Sequence, residues 1–227
     1  MNVDLYLCEV PPPDDRLPAL LARLDEEERR RAARFAVEPA RFAYAAAHAL
    51  LRRALDRAAG RAGDWAFRVN RYGKPGLDPP LDDIRFNLSH TDTLVAVAVA
   101  RGTDIGVDVE TLPTAPAEAM LGRMVLAPEE QAELADSDDR EARLMQLWAA
   151  KEAVAKAIGM GLSLPPKEIV LRGAELRVAA LPEEHGPASA WWLHTERLAT
   201  HWLALAARAA DCRILRERVT VDRLLES

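Results

Sequence analysis

The stretch "LWAAKEAVAKAIG", Leu147 to Gly159, has helical spacing, yet charged residues stand where an apolar face should run. On a wheel of 3.6 residues per turn, Leu144, Leu147, Val154 and Ile158 form one stripe with Lys151 in its middle. Glu152 flanks that stripe on the side of Trp148. A lone buried charge costs several kcal/mol, so these groups must be paired, hydrated in a cleft, or used. "IGVDVE", Ile105 to Glu110, supplies more acid. In a strand Ile105, Val107 and Val109 point one way, into a core, while Asp108 and Glu110 point together the other way. Two neighbouring carboxylates repel unless one is protonated or a divalent cation lies between them, and such hard oxygen donors suit Mg²⁺. Taken alone, D-x-E reads more readily as a strand end with two solvated acids. With Glu152 as third acid and Lys151 and Lys156 beside it, the set resembles a phosphoryl-transfer or diphosphate site. The competing reading is a helix-flank ion network with upstream arginines.

Two further stretches carry weaker signals. In "FNLSHTDTLVAVAVA", Phe86, Leu88 and His90 share one strand face and Asn87 and Ser89 the other. Ser89 and His90 at the strand end could bind an oxyanion through hydroxyl and imidazole N–H, though a lone histidine is more often simply packed. "YGKPG" is a turn, with Lys74 at its tip able to meet a phosphate.

The elements that must position these residues are legible in outline. "VDLYLCEV" reads as a strand. "LPALLARLDEEERRRAARF" reads as helix broken near Asp25, and "PARFAYAAAHALLRRALDRAAG" as helix from Pro39 to Gly60. "DWAFRVN", a turn at "RYGKPGLDPPLDD", and the strands "IRFNLSH" and "LVAVAVA" follow. A similar order then repeats: the strand "IGVDVE", helices including "APEEQAELA" and "DREARLMQLWAAKEAVAKAIG", then strands in "EIVLRG", "ELRVAAL", "SAWWLHTER" and "HWLALAARA". Alanine-rich "LALAARAADC" is compatible with helix as well. "PTAPAEA" and "LPEEHGPAS" read as loops. The expectation is an α/β (α+β) fold of two similar lobes, residues 1–103 and 104–211, with a tail over 212–227.

The 227 residues carry a formal net charge of −6 and two cysteines. That charge argues against general nucleic-acid binding, and Cys8 and Cys212 fit neither a metal spacing nor a disulfide framework. With no apolar run of about 18 residues and no signal-like start, a cytoplasmic protein is expected. From Arg16 to Arg61 there are eleven arginines against six acids, which suits an anionic ligand or acidic partner as well as a solvated, ion-paired surface.

The ordered set "YGKP", "FNLSHTDTLVAVAVA", "IGVDVE" and "LWAAKEAVAKAIGMGLSLP", with W-x-x-K-E-A-x-x-K-A-x-G and G-x-D-x-E, resembles the 4′-phosphopantetheinyl transferases, specifically the larger, monomeric Sfp type that serves polyketide and peptide synthetases. The resemblance covers nearly the whole chain. It implies two pseudo-twofold-related α/β lobes with a cleft between them, coenzyme A lying across that cleft, and Mg²⁺ on its diphosphate. A serine of an apo acyl or peptidyl carrier protein would attack the β-phosphate, and 3′,5′-ADP would leave. Asp108, Glu110 and Glu152 are the implied metal ligands. Glu152 is also the implied base, Lys156 the stabiliser of phosphate or leaving-group charge, and Lys151 the holder of a diphosphate or carrier-side oxygen. Lys74 and Pro75 match the adenine-side turn, and Ser89 and His90 match positions at the nucleotide and its 3′-phosphate. Arg31 and Arg41 match basic residues for that phosphate. Glu28 stands where relatives often carry lysine, so that one contact to the phosphate is either missing or moved to Arg29 or Arg30. A Mg²⁺-dependent phosphodiester or diphosphate hydrolase, and a non-catalytic module binding coenzyme A or a carrier, are the alternatives. Neither nucleic acid nor membrane is an expected partner.

Overall fold

The computed structural model describes residues 1–79, 81, 83–112 and 118–226. Strand β1 (Asn2–Glu9) opens the chain, followed by helices α1 (Leu17–Ala22), α2 (Glu26–Ala32) and α3 (Glu38–Ala59). The break between α1 and α2 falls at Asp25, whose carboxylate accepts from the Glu28 N–H while Glu28 returns the bond to the Asp25 N–H. This reciprocal cap satisfies two amides that a helix start leaves unpaired. Pro39 sits in the first turn of α3, where its missing N–H has no helical partner to lose, and the helix stops at Gly60.

Next come β2 (Phe67–Val69), β3 (Pro75–Leu77), β4 (Ile84–His90) and β5 (Leu94–Arg101). The stretch expected as one long turn therefore contains β3, which pairs antiparallel with β2; Pro80 and Asp82 lie outside the described residues. The chain then begins again with β6 (Ile105–Thr111), α4 (Glu118–Val125), α5 (Pro128–Ala135) and α6 (Arg140–Ile158). Of the loop expected over Pro113–Ala119, residues 113–117 lie outside the described residues. After α6 run β7 (Val170–Arg172), β8 (Arg177–Ala180), β9 (Trp192–Arg197) and β10 (His201–Ala207). The alanine-rich segment is thus strand rather than helix: Leu203, Leu205 and Ala207 bury one face of it and Ala204 and Ala206 the other. Residues beyond Cys212 form strand β11 (Arg213–Arg218) and helix α7 (Val221–Leu225).

The two halves share one topology. In the first, β1, β5 and β4 are neighbours in that order, all antiparallel; in the second, β6, β10 and β9 are neighbours in that order, all antiparallel. Each half inserts helices, then a two-stranded ribbon, between its first strand and its hairpin. β11 falls outside the repeat and joins the first sheet parallel to β1. One core lies between α3 and the first sheet, and a second between α6 and the second sheet. A third joins the sheets to each other, with Val3, Leu5 and Leu7 meeting Ile105, Val107, Leu203 and Leu205. At the seam between β4 and β6, the Asn87 Oδ1 accepts from the Val107 N–H at 2.8 Å, satisfying an amide at the sheet's edge. Among the described residues no helix is long and apolar enough to cross a membrane.

Candidate active site between the two halves

The site begins with Gly106. A Cβ there would lie 1.9 Å from the Ala153 carbonyl oxygen and 2.6 Å from the Ala157 nitrogen, so only glycine lets α6 rest on β6 at this distance. That approach brings Glu152 and Lys156 of α6 over the face of β6 that presents Asp108 and Glu110. The alternation of β6 is as expected, with Ile105, Val107 and Val109 in the core between the sheets.

A network of short bonds results. The Lys156 Nζ donates to the Asp108 Oδ1 at 2.5 Å and to the Ser89 Oγ at 3.1 Å, while Ser89 donates to the same carboxylate oxygen at 2.8 Å. The second Asp108 oxygen, Oδ2, is buried with no hydrogen-bond partner. The Trp148 Nε1 donates to the Glu110 Oε1 at 2.7 Å. Burial, then the neighbouring Asp108, pushes the Glu110 carboxyl up to about 7, against the lowering effect of the Trp148 bond. Glu152 is also pushed up to about 7, by burial and then by Asp108. The His90 imidazole is held down at about 4 by burial, then by His48 and Lys156, so it is neutral near pH 7.

The acids are neighbours, but they do not form a closed ligand group: among the described residues no three acidic, histidine or cysteine side chains converge as a metal cage. Lys156 takes the place a cation would take at Asp108. The donor set nevertheless fits Mg²⁺. Two carboxyls that bind protons too readily and one orphaned, buried carboxylate oxygen mark a site short of positive charge, and all the donors are hard oxygens.

A cavity of about 580 Å³ opens beside this network. Ser89, Lys156 and Gly159 line it beside Lys74 and Pro75, and His90 lines it together with Arg31, Tyr44 and His48, the Tyr44 ring lying 6.3 Å from that of His90. Its size is that of a site for a nucleotide-sized ligand.

Two expected site residues stand elsewhere, and the charged end of a third points away from the cavity. Lys151 is not in the cleft. It is 1% exposed, its Nζ pairs with Glu130 at 2.7 Å, and it donates to the Pro166 carbonyl at 2.8 Å and to that of Ile169. Lys151 lies within the apolar stripe because Glu130, on α5, makes that stripe its partner. Arg41 is not among the residues lining the cavity; it lies about one helical turn before Tyr44 on α3. Lys74 lines the cavity, but its Nζ turns away to donate to the Ala157 carbonyl at 3.1 Å and the Ile105 carbonyl at 3.4 Å.

Glu28 is buried in an ion cluster, 2.6 Å from the His48 Nδ1 and 2.6 Å from an Arg52 guanidinium nitrogen. Burial alone would raise its carboxyl, but the bonds from His48 and Arg52 outweigh this and hold it at about 2. Of the two arginines beside it, Arg29 donates to the Leu24 carbonyl, and Arg30 lines a second hollow with Arg31 and Arg34. His48 and Tyr44 escaped the sequence reading because they sit on an ordinary-looking alanine-rich helix. An i, i+4 aromatic–histidine pair facing a run of acids was the signal available; their rings lie 4.3 Å apart.

Comparison with known proteins follows the same line. The sequence model for ACPS, the 4′-phosphopantetheinyl transferase superfamily, matches residues 104–206, which hold Asp108, Glu110, Glu152 and Lys156. The 4′-phosphopantetheinyl transferase HetI of Nostoc sp. is 32% identical over 198 residues, covering 85% of this chain and 81% of its own. The 4′-phosphopantetheinyl transferase Sfp of Bacillus subtilis is 32% identical over 129 residues, 55% of each chain. The crystal structure of holo-[acyl-carrier-protein] synthase from Neisseria meningitidis superposes with a TM-score of 0.41 at 25% identity, over 46% of this chain and 95% of its own.

Proposed function

The chain belongs to the 4′-phosphopantetheinyl transferase superfamily, and from that premise we propose that it transfers 4′-phosphopantetheine from coenzyme A to a serine of an apo acyl or peptidyl carrier protein, releasing 3′,5′-ADP. The observation that supports this reading most is the meeting of Asp108, Glu110, Glu152 and Lys156 beside a cavity able to take a nucleotide.

Asp108, Glu110 and Glu152 would hold Mg²⁺, which supplies neutralising charge to the diphosphate when bound. The serine Oγ forms a bond to the β-phosphorus, and the bond from that phosphorus to the oxygen shared with the α-phosphate breaks. The serine proton passes to Glu152, the carboxyl that α6 holds near Asp108 and Lys156. Lys156, already at Asp108, stabilises the charge gathering on the leaving 3′,5′-ADP. Ser89 orients that lysine and carboxylate together. Pro75 and the turn before it would face the adenine, with His90 and Arg31 at the 3′-phosphate. Lys151 and Arg41 have no part in this assignment. Both walls of the cavity come from one chain, so a monomer suffices.

The test is to incubate the protein with Mg²⁺, coenzyme A and a panel of apo-carrier proteins, then to weigh each carrier intact. Gain of one phosphopantetheine by a carrier, abolished by chelation and by Asp108→Ala, is the expected result. Turnover of coenzyme A without any carrier would instead make the protein a hydrolase, and saturable binding without mass gain would make it a binding module.

A further inference from the structure

We propose that Asn70 is a positioning residue that ties the β2–β3 ribbon to the end of α6 and thereby holds the cavity wall in place for coenzyme A. The inference rests on the functional reading above for the identity of the ligand, but its geometry stands by itself.

The ribbon has two anchors. Its base belongs to the first half, where Phe67 packs on Phe86 with ring centroids 5.6 Å apart. Among the described residues Asn70 and Lys74 hold its tip, and both reach across to the second half. The Asn70 Oδ1 accepts from the Tyr72 and Lys74 N–H groups, each at 2.9 Å, which shapes the turn. The Asn70 Nδ2 donates to the Gly159 carbonyl at 2.8 Å. One side-chain amide therefore performs two separable tasks, and its orientation is fixed because acceptor and donor ends each meet the complementary group. Lys74 adds a second tie through its bond to the Ala157 carbonyl, where a cation also favours the negative end of the helix dipole.

Gly159 is shaped for this contact. Its φ is +89°, ending α6 in the left-handed conformation, and a Cβ there would sit 3.2 Å from the Asn70 Nδ2 and 3.3 Å from the Lys74 Cδ. The tip of the ribbon presses where a side chain would otherwise be. Tyr72, Gly73, Lys74 and Pro75 form the cavity wall immediately beside this tie, and Gly159 and Lys156 form its neighbour. α6 itself is fixed by its core with β10 and its close approach to Gly106 of β6, so cutting the Asn70 tie loosens the ribbon and leaves the helix with its acid and lysine in place.

The consequence is a split between binding and chemistry. Asn70→Asp keeps the acceptor that shapes the turn but puts a second carboxylate oxygen against the Gly159 carbonyl at a helix C-terminus. It is expected to raise the KM for coenzyme A about tenfold, the worth of one hydrogen bond, with kcat at saturating coenzyme A and the KM for the carrier each within twofold of wild type. In the ligand-free protein, amides of Arg71–Leu77 should exchange with solvent faster in Asn70→Asp than in wild type, while those of α6 should not change. Asn70→Ala, which loses both tasks, serves as the reference for a ribbon that is disordered outright. A KM within twofold of wild type, a fall in kcat with KM unchanged, or unaltered exchange over Arg71–Leu77 would overturn the proposal. If the wild-type protein modifies no carrier, the assigned function fails instead; calorimetric titration with coenzyme A and the exchange measurement then judge the tie independently.

Discussion

Glu152 and Lys156 stand one helical turn apart, yet their surroundings ask opposite things of them. Lys156 enters an ion pair with Asp108, whereas Glu152 is pushed up to about 7 by burial and by that same aspartate. On the proposed mechanism Glu152→Gln should slow transfer by about 10²-fold or more, read by single-turnover mass assay. Glu28 answers to acid. Its carboxyl at about 2 lies below the usual 4.5, so the His48 and Arg52 bonds contribute fully above about pH 4.5 and are lost as pH falls toward 2. Thermal melts should show Glu28→Gln less stable than wild type at pH 7, with the gap closing across that window; a gap independent of pH would refute the assignment. At this scale the sequence was legible where spacing alone decides direction, as for Asp108 and Glu110 on one strand face. It was misleading where direction depended on a distant partner. Lys151 sat in the apolar stripe as a buried cation must, but only Glu130, 21 positions earlier and on another helix, explains why it is there.

At the scale of elements, most of the design is carried by where helices stop and how near they come. The capped break at Asp25, Pro39 in the first turn of α3 and Gly60 after it could be read from residue type, because each satisfies or forfeits a backbone bond locally. β3 and β11 could not, since each owes its existence to a strand elsewhere in the chain, β2 for one and β1 for the other. The contact of α6 with β6 is the most constrained of all. Gly106→Ala would drive a methyl into the Ala153 carbonyl region, 1.9 Å away, and should cost about 3 kcal/mol in chemical denaturation. Because any relaxation lifts α6 from β6, residual activity in the folded fraction should also fall, through loss of the Lys156–Asp108 contact. Full specific activity in a well-folded Gly106→Ala protein would show that this close approach does not set the site.

Across the whole molecule the two halves repeat a strand order but do not behave as beads on a string. Their sheets share the core formed by Val3, Leu5 and Leu7 with Ile105, Val107, Leu203 and Leu205, and Asn87 closes the seam between β4 and β6. Exposing that core by separating the halves would leave a broad apolar surface on each. Calorimetry should accordingly show a single unfolding transition whose van't Hoff and calorimetric enthalpies agree, and two resolved transitions would contradict it.

The parallel partnership of β11 with β1 has a consequence for synthesis. A ribosome makes β11 only about two hundred residues after β1. Throughout that interval one flank of β1 has its amides and carbonyls open to any other extended chain nearby. The nascent polypeptide thus waits on a much later segment to shield β1, and a ribosome stalled before residue 213 would display an adhesive rim that β11 covers in the folded chain.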